Sequence, residues 1–342
     1  MDRLPVELLL DIFSYACTDG GYTGCSLSSV SKRIRTTSEH VRYQSLAVYG
    51  ARHIRTLSFR LTSSGPDSGL RKVHHLLLSD RSLEAAAEPA PYSDREGTGA
   101  ELVSNITFIL TAIAPHLETL LLILTTLRKP TALSLSVLSF LSDLPFVPLI
   151  PTNLPFLREL AVASPLFPMS FPLSNKALRL ERLHIATHTE LPATLGASLR
   201  KVAPNLTHFR VSSLRGRTDG GGLLDMLKLF ITGSASPSGS KHIPPNLQRV
   251  IITPKPTTRS RGEGRVFGTL ARDLEQLCQK DALGRVLVLR TADCLKEDDE
   301  HEKLLYEARY RRLRADWEDR ILGEQGCWFE GSGFSPCSLT DD

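Results

Sequence analysis

The sequence predicts a mixed α/β chain. It divides into an N-terminal helical module (residues 1–50), an irregular α/β solenoid (51–292) and a charged C-terminal helix with a tail (293–342). Three observations predict this. The first residues carry apolar side chains at helical spacing. From about residue 52 an apolar–x–x–apolar–x–apolar spacing recurs. The segments between its occurrences return to a 3.6-residue period. Strands at fixed spacing that alternate with helices are the signature of stacked units, each burying its face against its neighbours. An ordinary parallel α/β sheet is the alternative.

Pro5 stands at a helix start, with Glu7 in the first turn, where its charge suits the helix dipole. Val6, Leu9, Leu10, Phe13 and Cys17 fall on one face, and Leu8 and Ile12 form a second apolar edge. A helix this short cannot bury two faces against a small module, so the spare face calls for a partner. The run Thr18–Gly24 is turn chemistry. Leu27, Val30 and Ile34 predict a second helix, and Val41, Leu46 and Val48 a third segment.

The repeat begins as Ile54-x-x-Leu57-x-Phe59 and returns at Val73, Leu117, Leu157, Leu180, Leu206, Leu247 and Leu283. Prolines announce four of these: Pro115, Pro155, Pro204 and Pro245. The shorter gaps, Leu157 to Leu180 to Leu206, approach the period of leucine-rich repeats, and the longer ones carry insertions. The asparagine that closes an orthodox leucine-rich strand is missing, so the repeats are degenerate. Helical periods fall on Leu102–Ile113, Leu133–Leu141, Leu195–Val202, Leu223–Phe230 and Val266–Leu277. Glu297–Leu322 is densely charged, yet Tyr306, Tyr310, Leu313, Trp317 and Ile321 form one apolar stripe. The expectation is a helix that caps the end of the array.

Composition narrows the chemistry. With 41 Lys+Arg against 37 Asp+Glu, the net charge of +4 is low for a dedicated nucleic-acid binder, so that partner is not expected. The six cysteines form no CxxC pair, and a reducing compartment, cytoplasmic or nuclear, is expected. No signal peptide is expected, nor a membrane partner, because Asp143, Pro145 and Pro148 interrupt the one apolar stretch, Thr131–Ile150. The glycine run before Leu223 lacks the Lys and Ser/Thr of a phosphate loop. His74 and His75 point to opposite faces of a strand, and His184 and His188 flank a strand end, so no metal is expected. Cys327 and Cys337 read as free thiols, with a redox pair as the alternative. Arg259, Arg261 and Arg265, and the group Arg309, Arg311, Arg312 and Arg314, read as solvated faces. No catalytic residue and no cofactor is expected.

The string Leu4-Pro5-x-Glu7-Leu8-Leu9-x-x-Ile12-Phe13, followed by Val30-Ser31-Lys32-Arg33 and by Arg42-Tyr43-x-x-Leu46, resembles an F-box. With the repeats and the charged tail, the chain is similar to F-box families of basidiomycete fungi. The resemblance covers about one seventh of the chain. It departs at Ile34, where the family usually carries tryptophan, at Tyr43, and in the glycine-rich Thr18–Gly24 insertion.

The resemblance implies a three-helix F-box followed by a leucine-rich-repeat-like α/β solenoid with a C-terminal capping helix. It implies a non-catalytic adaptor of a cullin–RING ubiquitin ligase. Leu4, Pro5, Leu8, Leu9, Ile12, Phe13, Val30 and Tyr43 would contact the ligase linker subunit, and through it a cullin. The repeats would present a protein substrate on their concave side. The alternative is a ligase-independent repeat scaffold in which the F-box-like helices form an N-terminal cap.

Overall fold

A computed structural model of the chain describes residues 4–65, 68–81, 99–124, 153–163, 177–187, 191, 194–214, 221–232, 243–254, 263–289 and 299–328; the side chains of 99–100, 213–214, 221–222, 263–269 and 299–309 are outside the description. Helix α1 (Val6–Ala16) starts immediately after Pro5, with Glu7 in its first turn. Leu9 and Phe13 of α1 close a small core with Ile34, flanked by Leu27 and Val41. The second helical segment is two helices, α2 (Tyr22–Val30) and α3 (Lys32–Thr37). Ser31 separates them in an extended conformation, and its hydroxyl accepts the Ile34 N–H at 3.1 Å as an N-cap. Gly24 sits where a Cβ would lie 2.0 Å from the Arg42 carbonyl oxygen, so the packing of α2 on the chain that follows α3 requires glycine.

Two expectations at this junction are corrected. The segment through Leu46 and Val48 is a strand, β1 (Ser45–Tyr49), and Ile54–Phe59 lies in a helix, α4 (Ala51–Ser63). Ile54, Leu57 and Leu61 satisfy a helical period as well as the repeat spacing, and they are buried with Ser58. Phe59, which the strand reading placed inside, is 71% exposed. The sheet therefore begins within residues 1–50.

Strands β2 (His75–Ser79), β3 (Thr119–Ile123), β4 (Glu159–Ala163), β5 (Arg182–Ala186), β6 (His208–Leu214), β7 (Arg249–Pro254) and β8 (Val286–Val288) complete an eight-stranded sheet in chain order. Every pairing is parallel. The register is a translation of one unit. Leu46, Leu76, Leu120, Leu160, Leu183, Phe209, Val250 and Val286 stand side by side across the sheet. A second row two residues on runs from Val48 through Leu78, Leu122, Val162, Ile185, Val211 and Ile252 to Val288. The first repeat position, as in Leu117, Leu157, Leu180 and Leu206, is buried in the turn before its strand. One carbonyl in each of these turns accepts two N–H groups of the next unit: His74 from Glu118 and Thr119, Glu118 from Arg158 and Glu159, Arg158 from Glu181 and Arg182. Asparagine does appear in these turns, ahead of the strand, where Asn246 donates its amide to Asn205 Oδ1 at 3.0 Å.

Both apolar rows face α4 and four further helices, α5 (Gly99–Ile113), α6 (Leu195–Val202), α7 (Gly221–Thr232) and α8 (Glu263–Lys280), in one continuous core. Residues i and i+2 of a strand share a face, so the alternate residues point the other way. The helical period at Leu133–Leu141 lies outside the described residues, as do Arg259, Arg261 and the side chain of Arg265.

That other face is covered too. Helix α9 (Asp299–Ile321) lays Leu313, Trp317 and Ile321 on Leu77, Leu121, Ile123, Ala163 and Ala186, with Tyr310, Ala47, Tyr49 and Ala161 packed alongside. The expected end cap is instead a cover across the faces of β1 to β5. Alanines at 47, 161, 163 and 186 leave room for a helix at close range, while the consecutive leucines of β2 and β3 need apolar cover on both sides. Among the described residues no helix is long and apolar enough to cross a membrane.

Candidate binding faces

The first candidate face belongs to the N-terminal module. Of the residues proposed for the linker subunit, Leu4, Leu8, Ile12 and Val30 are exposed by 40%, 50%, 52% and 65%, and Val6 by 46%. Pro5 is exposed as well. The spare apolar edge of α1 is therefore open, and Tyr15, a turn beyond Ile12, is exposed too. Leu9 and Phe13 are buried in the module core and hold it together, so they do not belong to an outward face. Tyr43 is half-buried in the turn before β1, beneath the Arg42 guanidinium at 4.6 Å from its ring centre.

The glycine-rich insertion joins this module to the sheet. Gly20 and Gly21 take positive φ of 75° and 105°, which bends the chain back along β1. The Ala47 N–H donates to the Gly20 carbonyl at 3.0 Å, while Ser45 Oγ accepts the Gly20 N–H and donates to the Cys17 carbonyl. The open edge of β1 is thereby blocked by its own chain. A Cβ on Gly20 would lie 3.1 Å from that of Ala47 and 3.8 Å from the Trp317 ring, so α9 meets the module here.

The second candidate face lies at the centre of the sheet, opposite the helices. Here alanines on this face give way to polar residues toward β6: Glu159, Arg182 and His208 in one row, His184 and Arg210 beside Ala161 in the next, then Ser212 beside Ala186. The chain beyond α9 returns over them in a 3-10 turn, Gly326–Trp328. Trp328 Nε1–H donates to Glu159 Oε1 at 3.1 Å, and Arg320 Nε donates to Glu159 Oε2 at 2.8 Å. Arg182 adds a longer ion pair to the same carboxylate at 3.5 Å. Arg210 donates to the Cys327 carbonyl at 2.5 Å. His184 Nε2 lies 2.9 Å from Ser212 Oγ, and the His184 and His208 rings meet the Trp328 indole edge-on at 6.4 and 5.9 Å. Cys327 and Trp328 also pack on Ile251, Leu287 and Leu289.

Sequence reasoning left most of this cluster unmarked. Cys327 and His184 were singled out separately, and the fold brings them to 4.0 Å. Burial pushes the Cys327 thiol up to about 12, so it remains protonated and packs as an apolar group rather than acting as a nucleophile. Burial also raises the Asp316 carboxyl on the covering helix, against the opposing pull of Arg210 and Arg312.

The remaining sequence candidates are scattered. His74 Nδ1 contacts Glu118 at 3.0 Å and His75 Nδ1 contacts Thr119 Oγ1 at 3.0 Å, so each imidazole has its own partner. Burial lowers His75 to about 4. Among the described residues no group of three His, Cys, Asp or Glu side chains is placed to hold a metal. Tyr310 lies against the sheet cluster, and Arg314 pairs with Glu318 at 2.6 Å and lies over the Tyr49 ring, so neither belongs to a separate basic face. His188, Cys337, residues 217–220 of the glycine run and the side chains of Arg309 and Tyr306 lie outside the described residues. No protein-family model matches the chain, and no curated protein sequence matches it.

Proposed function

We propose that this chain is a substrate-recognition adaptor of a cullin–RING ubiquitin ligase, with its N-terminal helices acting as an F-box and its repeats as a degenerate leucine-rich array. The observation that carries the reading is α1. Its eleven residues close a core through Leu9 and Phe13, yet Leu8 and Ile12, one turn apart on its other edge, stand about half exposed, and Val30 at the end of α2 is exposed as well. Exposing large apolar side chains along one helix edge is costly in water and suits a partner that buries them. Leu8, Ile12 and Val30 fall at positions where the F-box resemblance expects contact with the linker subunit. Such an adaptor needs no acid, base or nucleophile, because it works by raising the effective concentration of a bound protein at the transfer site.

The test is co-expression with a ligase linker subunit and affinity capture of the wild type, Leu8→Asp and Ile12→Asp. Capture of the wild type and loss in both variants, with unchanged circular dichroism, supports the adaptor role. A folded wild type that captures no linker subunit overturns it.

A second reading has its own observation. The Gly20 carbonyl seals the β1 edge, and Trp317 packs against the same loop, as an N-terminal cap for a ligase-independent scaffold would require. Under that reading Leu8→Asp leaves every partner in place.

A further inference from the structure

We propose that the polar centre of the sheet face on β4 to β6 is a recognition site for a tryptophan-bearing peptide segment of a partner protein, and that this chain's own Cys327–Trp328 turn occupies it in cis. The proposal rests on the adaptor reading for its biological role. Its test needs no ligase subunit, so the two fail separately.

The contacts are those of a peptide site. Arg210 grips a main-chain carbonyl, which any peptide offers, whereas Glu159 accepts the indole N–H, which only tryptophan offers. The two histidine rings frame the indole edge-on. A site built to bond a ligand N–H rejects the analogue that lacks it, since its own buried acceptor is left unpaired. The occupant can also leave without undoing the fold. Helix α9 is anchored by Leu313, Trp317 and Ile321 in one apolar cluster, whereas Cys327 and Trp328 sit in another that shares no residue with it. The link between them, Leu322 to Gln325, is exposed and tied to the end of α9 only by terminal hydrogen bonds such as Glu324 N–H to the Asp319 carbonyl. Glycines with positive φ stand within it and just after it, Gly323 at 91° and Gly326 at 51°. Glu159 keeps its bond to Arg320 when the indole departs, so its charge remains compensated.

A tethered occupant competes at high effective concentration, so an external segment binds the intact chain weakly and binds it far better once the tether's tryptophan is gone. The probe is a synthetic peptide with the sequence of residues 324–332, its cysteine replaced by serine and a fluorophore at its N-terminus. Anisotropy titration into full-length wild type and Trp328→Ala is expected to give at least about tenfold tighter binding to the variant. The same peptide with phenylalanine for tryptophan is expected to lose at least about tenfold. Equal affinity for the two proteins, or for the two peptides, overturns the proposal. Hydrogen exchange on the unmutated protein provides a test independent of how the variant folds. Amides of 326–328 are expected to exchange at least about tenfold faster than those of 313–321, as an independently opening unit does. Equal rates would make the turn and α9 one unit and also overturn it.

Discussion

Helices α1 and α9 stand near opposite ends of the chain, and each carries an apolar stripe whose spacing alone does not say what covers it. In α9 the stripe Leu313, Trp317 and Ile321 is buried on the sheet. In α1 the inner stripe Leu9 and Phe13 is buried, and the outer edge, Leu8 and Ile12, meets solvent. The two helices also touch the same loop, since α1 runs into Gly20 and α9 lays Trp317 against it. The difference separates apolar residues that build the molecule from those that remain available, and periodicity alone does not separate them.

Substitutions on the two helices sharpen that contrast. Trp317→Ala removes a side chain held between two layers and opens a cavity, with an expected cost of about 3–5 kcal/mol in denaturant unfolding. Phe13→Ala removes a comparable volume from a far smaller core. It is expected to unfold the N-terminal module while the sheet stays intact, which hydrogen exchange resolved by segment would register. Glu159→Gln keeps an acceptor for Trp328 but loses the ion pairs to Arg320 and Arg182, with an expected loss of about 1–3 kcal/mol. Leu8→Ser, on the open edge of α1, is expected to change stability by no more than about 0.5 kcal/mol. A loss above 2 kcal/mol there would make the outer stripe part of the core and break the comparison.

His75 supplies a pH-dependent version. Its imidazole titrates near 6.5 when unfolded and about 4 when folded, so between those values the unfolded chain binds the extra proton. Stability is therefore full above pH 6.5 and declines as pH falls toward 4, by at most about 3.4 kcal/mol at 1.36 kcal/mol per unit. His75→Gln is expected to flatten that part of the profile relative to wild type, measured by unfolding between pH 4 and 7.

Seven of the eight repeat positions coincide with strands, because the spacing records geometry. In all but the last of these, where Leu283 is exposed, the first apolar residue fills the turn, and in each the next two sit at i and i+2 on the helix-facing side. Ile54 misleads because two intervening residues fit both a turn-to-strand step and a helical step. The true first unit, Tyr43-x-x-Leu46-x-Val48, has the same spacing with tyrosine at its head. The position of α9 was hidden because a stripe states only that a helix has a partner. The signal lay elsewhere, in the unbroken runs Leu76-Leu77-Leu78 and Leu120–Leu124, where both faces of the strands are apolar. The central polar cluster had no local signature at all, since Glu159, His184, Arg210 and Trp328 come together only through the lateral register of the sheet and the return of the tail.

The cover supplied by α9 also has a consequence for synthesis. Each strand pairs with the one made just before it, so the sheet can grow as the chain leaves the ribosome. Leu121, however, waits for Leu313. At 5–20 residues per second the intervening stretch takes on the order of 10–40 s to translate. Throughout that interval the leucines of β2 and β3 stand uncovered on a partly formed sheet. A message that stops short of α9 would therefore yield a nascent product with an open apolar plane, a natural client for chaperones and a poor candidate for release.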